Sequence, residues 1–112
     1  MNKAVNVAFA NVSLKEAYKE LQKGSFEDKQ LFNFLNRAFE DIKKNPTCGS
    51  KLAKKLWPKS YFKYDLTNLW KYDLPNAWRL IYTIKQDEIS IISMILEWSK
   101  HKDYEQRFHY SF

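Results

Sequence analysis

The chain of 112 residues has one cysteine, two glycines and three prolines, and no long apolar run. A single thiol, Cys48, cannot close an internal disulfide, so packing must stabilise the fold and a reducing compartment suits it. The longest apolar stretch, Ile89 to Leu96, is broken by Ser90 and Ser93 and falls far short of the ~20 residues of a spanning helix. Neither end shows a charged segment followed by an apolar run and a cleavage site, so the expected location is the cytoplasm, with no membrane partner. Gly-rich phosphate loops and hydrolase elbows are missing, which argues against nucleotide hydrolysis and most cofactor enzymes. Two histidines without a neighbouring cysteine or acidic ligand pattern argue against zinc. No cofactor and no metal are expected. Cys48 has no base beside it, and Thr47-Cys48-Gly49 reads as a turn, so the thiol is not a nucleophile candidate.

What is present is positive charge and aromatic surface. A formal charge of +6 and a pI near 9.4 favour a polyanionic partner, whether nucleic acid, an acidic protein tail or an anionic surface. Of the 19 aromatic residues, 13 lie at or after Trp57. Such rings, interleaved with Lys and Arg, either stack on unpaired bases or fill a sheet core.

The length fits one domain, residues 1–112. Ala4 to Ala10 reads as a first strand, and Ser13 with Glu16 three residues later as the capping box of a first helix. Gly24 offers that helix a left-handed stop, and Ser25 caps a second, whose stripe is Leu31, Leu35, Ala38 and Ile42. Glu27 and Asp28 suit its positive end, Lys43 and Lys44 its negative end, and Asn45-Pro46 terminates it. Thr47 to Pro58 connects onward through Lys51, Lys54 and Lys55, spaced as a basic helical turn. These lysines are candidate RNA contacts, with an ordinary solvated surface as the alternative. Tyr61 to Leu66 is a short strand or an irregular lead-in; Leu69 to Leu74, Trp78 to Ile84 and Ile89 to Trp98 follow as an antiparallel meander.

Strand, two helices and then strands predicts an α+β fold: an N-terminal strand and a helical hairpin packed on one face of a twisted, mainly antiparallel sheet. Alternation sends Trp70, Tyr72, Leu74, Trp78, Leu80, Tyr82 and Ile84 to that face and Lys71, Asp73, Arg79, Ile81 and Thr83 to the other. The second face is expected to be open for function. A charged cluster on a rigid sheet can grip a phosphodiester, which makes RNA the first substrate to consider.

The order of elements, the hairpin from Leu69-Trp-Lys-Tyr-Asp-Leu74 to Trp78-Arg-Leu-Ile-Tyr82, and the His101-Lys-Asp-Tyr104 ending resemble the RelE/ParE superfamily of type II toxin-antitoxin toxins. The resemblance covers most of the chain. It implies either a toxin that cleaves mRNA in the ribosomal decoding site or one that poisons DNA gyrase, with some relatives doing neither. It also implies a neutralising antitoxin that covers the basic face, encoded next door. A homodimer and a toxin-antitoxin hetero-oligomer are both open.

Carried over, Arg79 matches the strand arginine that contacts the scissile phosphate, and Lys71 a lysine on the preceding strand. His101, Lys102 and Tyr104 resemble the residues that close the site after the last strand. Asp73 departs from the pattern, standing where a second lysine is frequent, and the spacing between His101 and Tyr104 is compressed. The implied chemistry is metal-independent attack of a ribose 2′-OH on the adjacent phosphate. In it Arg79 and Lys71 stabilise charge, His101 is acid or base, and Tyr104 stacks on a base or donates a proton, while Lys102 contacts RNA. Asp73, Glu97 and His109 are reserves.

Overall fold

The alternation around Pro75-Asn76-Ala77 becomes a hairpin in the computed structural model, which describes residues 3–108, His101 by its backbone alone. Strand β3, Trp70–Asp73, pairs antiparallel with β4, Trp78–Gln86, so that Trp70 faces Tyr82 and Asp73 faces Arg79. Strand β5, Ser90–Lys100, returns antiparallel to β4, and the two-residue β2, Ser50–Lys51, pairs with β3 at one edge. Strand β1, Ala4–Phe9, lies at the other edge, parallel to β5. The open mixed sheet has the order β1-β5-β4-β3-β2. The turn between β3 and β4 places Asn76 and Ala77 at positive φ, 60° and 64°. Asn tolerates that region; for Ala it is strained.

Helix α1 spans Val12–Glu20 and runs into a 3-10 turn at Leu21–Lys23. Its cap is Asn11, whose side chain accepts from the Leu14 amide at 2.8 Å, so the expected Ser13 cap falls inside the helix. Asn caps as well as Ser, and the residue leaving β1 in extended backbone is Asn11. Gly24 is not left-handed either: it is extended, with φ −87° and ψ −157°. The 3-10 turn satisfies the carbonyl of Leu21 through the Gly24 amide, so no left-handed residue is required there.

Helix α2, Phe26–Lys44, matches its sequence pattern closely. Ser25 and Asp28 exchange reciprocal capping bonds, and Leu31, Leu35, Ala38 and Ile42 are buried together with Phe39. Burying each large side chain of that stripe contributes about 1.5–3 kcal/mol before entropy is counted. The stripe meets Leu74, Leu80, Tyr82 and Ile95 of the sheet, with Trp70, Tyr72, Trp78 and Trp98 around them. Helix α1 joins this core through Tyr18, whose ring lies 4.8 Å from Phe32 and 5.1 Å from Phe9, and whose hydroxyl donates to Asn36.

The second face is not bare. Leu52, Trp57 and Tyr61 from segment 52–66 and Tyr104 and Phe108 cover Leu69 and Ile81, forming a second buried cluster. The last two belong to helix α3, His101–Arg107, and the residue following it. Trp57 Nε1 donates to the Leu52 carbonyl at 3.1 Å and closes the covering loop on itself. Strand β5 also carries a bulge: Ile81 pairs with Glu97 but Tyr82 with Ile95, leaving Leu96 without a partner. One extra residue reverses the alternation. Leu96 therefore packs on the second cluster while Glu97 and Ser99 keep the register of Ile81 and Arg79.

Candidate functional site

On β3, Lys71 and Asp73 are two residues apart and share the second face, and antiparallel pairing sets Arg79 opposite Asp73. One carboxylate oxygen serves both cations: Asp73 Oδ1 lies 3.1 Å from Lys71 Nζ and 3.0 Å from Arg79 Nε. The two basic side chains are largely enclosed, 19% and 17% exposed, while Asp73 is 59% exposed. Arg79 also donates through Nη1 to the Trp78 carbonyl at 3.1 Å. The arrangement is a pair of cations bridged by an accessible carboxylate, the three side chains carrying a formal charge of +1 together. An anion that approaches this group meets the Asp73 carboxylate first, since Asp73 is the most exposed of the three.

Tyr104 lies below this group and is 2% exposed. Its ring stacks on Phe108 at 4.6 Å and sits 5.9 Å under Lys71 Nζ. Stacking on a substrate base, as the sequence suggested, is not offered in this arrangement; the ring instead supports Lys71 from beneath. His101 opens α3 directly after Lys100, the cross-strand partner of Trp78, so its backbone stands next to the Arg79 end of β4. Its side chain and the whole of His109 lie outside the described part of the structure. Lys102 is exposed on the first turn of α3.

Behind the cation pair, Glu97 receives Arg107 Nη1 at 2.6 Å, tying α3 to β5. Tyr61 is held neutral well above its ordinary pKa by burial and then by the Glu97 carboxylate. This half-buried ion pair was not singled out as such by sequence, because the bulge at Leu96 decides which way Glu97 points.

The RNA-contact candidates divide. Ser50, not Lys51, is the cross-strand partner of Lys71, and Lys51 pairs with Trp70. Lys51 and Lys54 line an open groove of about 510 Å³ with Leu52, Trp57 and Thr67, and Lys55 is exposed on the same 3-10 turn, Lys54–Leu56. These lysines border the sheet edge and do not join the Lys71-Arg79 pair in one cluster. Gly49 matters more than its place in a turn suggested. It approaches β3 so closely that a methyl there would collide with the Lys71 carbonyl oxygen and lie 2.9 Å from the Tyr82 hydroxyl. That hydroxyl accepts from the Gly49 amide at 3.2 Å and donates to the Pro46 carbonyl at 2.6 Å, which docks the connection between α2 and β2 onto the sheet.

Fold and site together define a small α+β protein with a two-sided core and a basic group at one end of its second face. Among the described residues no helix is long and apolar enough to cross a membrane, and no group of three or more His, Cys, Asp or Glu is placed to hold a metal ion. No family model, curated protein or solved structure matches the chain.

Proposed function

We propose that the chain is a toxin of the RelE/ParE type that cleaves mRNA on the ribosome in the cytoplasm. The observation that carries this reading is the Lys71-Arg79 pair, two enclosed cations on adjacent paired strands. Fixed cations are what a phosphorane-like transition state requires, since they stabilise developing charge without reorganising. The ribose 2′-oxygen forms a bond to phosphorus as the bond to the 5′-oxygen breaks. The 2′ proton passes to a base and another proton reaches the leaving 5′-oxygen. His101 is assigned to one of these transfers from its backbone position at the start of α3, two residues past Ser99, the cross-strand partner of Arg79. Tyr104 acts here as a support for Lys71, not as a proton donor. An antitoxin with an acidic segment would cover the same cations, giving a hetero-oligomer, and ribosomal RNA would supply the remaining negative surface.

A second reading has its own observation. Asp73 neutralises half of the pair, and Tyr104 is buried, which suits a protein-binding member of the same fold such as a gyrase poison or a non-toxic relative. Primer extension on mRNA translated in a reconstituted system separates the two. The nuclease reading expects cuts only on translated message, lost in Arg79→Ala. Intact message on elongating ribosomes would transfer the assignment to a protein target.

A further inference from the structure

Segment 51–66 carries Lys51, Lys54, Lys55, Lys59 and Lys63 against the single carboxylate of Asp65. Between this segment and β5 lies a cavity of about 480 Å³, within the usual range for a small-ligand site. Tyr61, Tyr64, Met94 and Leu96 give it flat apolar walls, and Lys63, Lys85 and Asp65 contribute charge. Tyr64 in its wall stays largely in water at 49% exposed, and Phe62, two residues earlier in the chain, is 52% exposed. Their rings are held in place: Phe62 stacks on Trp57 at 6.3 Å, Tyr64 lies 6.2 Å from Tyr61, and Lys63 Nζ is 5.3 Å from the Tyr64 centroid. Exposed rings fixed by their neighbours lose little entropy when a flat group stacks on them.

We propose that this cavity receives a base of single-stranded RNA. Tyr64 is the stacking platform, Lys63 and Lys85 neutralise the flanking phosphates, and Asp65 accepts from an exocyclic amino group of the base. Duplex RNA keeps its bases stacked and cannot enter. The cavity and the Arg79 group share the second face, with Lys85 six residues along β4 from Arg79. At ~3.3 Å per residue the separation is about 20 Å, within reach of one short strand. The inference rests on the RNA reading above only for that shared path, since binding at Tyr64 does not require cleavage at Arg79.

The test is fluorescence anisotropy of a labelled, mixed-sequence RNA dodecamer titrated with the full chain in the absence of ribosomes. Tyr64→Ala, a change at an exposed ring whose folding is checked by circular dichroism, is expected to raise Kd about tenfold. Lys63→Ala and Lys85→Ala should each flatten the slope of log K against log salt by about 0.7. Duplex of the same sequence should compete poorly. Equal affinity of Tyr64→Ala and the parent chain would overturn the proposal. So would displacement of the dodecamer by guanosine monophosphate at concentrations matching the dodecamer Kd, which would mark a free-mononucleotide site. Absence of any dodecamer binding, with self-association lost in Tyr64→Ala, would assign the surface to a second copy of the chain instead. A chain that binds through Tyr64 yet leaves translated message intact keeps this inference and loses the nuclease reading; the converse pattern does the reverse.

Discussion

Asp73 and Arg79 face each other across the β3–β4 pair, with the carboxylate oxygen 3.0 Å from the guanidinium Nε and the same oxygen 3.1 Å from Lys71. Removing that carboxylate leaves two enclosed cations without it. Asp73→Asn is expected to strengthen anion binding severalfold, read as a larger rise in melting temperature per increment of sulfate than in the parent. Because Asp73 is more than half exposed, the stability change without sulfate should stay within about 1 kcal/mol. Identical sulfate responses in both chains would remove the cations from consideration as an anion site.

Gly49→Ala should destabilise the protein by about 1–3 kcal/mol, since the added methyl meets the backbone of Lys71 and not a yielding side chain. Urea denaturation measures the loss. A change confined to the few tenths expected of an exposed turn would show that β2 separates from β3 without cost.

Both faces of the sheet should behave as core. Leu35→Ala beneath α2 and Ile81→Ala beneath segment 52–66 are each expected to cost about 2–5 kcal/mol. A small loss at Ile81 beside a large one at Leu35 would mean that the covering segment adds no packing.

Alkaline titration tests the tyrosines. Tyr72 donates to Asp41, and burial followed by that carboxylate pushes its pKa up to about 12 from 10.0. Below pH 10 folded and unfolded chains both hold the proton and the stabilisation is complete. Between about pH 10 and 12 the unfolded chain releases protons that the folded chain keeps, so stability must fall as pH rises. Burial raises Tyr61 and Tyr82 in the same direction. The urea midpoint should therefore decline above pH 10, less steeply in Tyr72→Phe; equal slopes would show that Tyr72 titrates alike in both states.

Several parts of this architecture were readable from local patterns alone. The 3.6-residue stripe of Leu31, Leu35, Ala38 and Ile42, flanked by Ser25 and Asn45, defines α2 without reference to the rest of the chain. Two-residue alternation in Trp70 to Asp73 and Trp78 to Ile84 likewise sets Lys71, Asp73 and Arg79 on one face, because parity within a strand depends only on the chain. Tertiary structure decided what no local period encodes. Which residue caps α1 followed from where β1 ends, at Phe9, and so Asn11 took the place of Ser13. The bulge at Leu96 turned Glu97 toward Arg107, since one unpaired residue exchanges the faces of everything beyond it. Burial of Tyr104 and the covering of Ile81 depended on segment 52–66 and α3 meeting over the sheet, contacts between residues distant in sequence. Charge and periodicity are properties of the chain, whereas access to a charged face depends on what else folds against it.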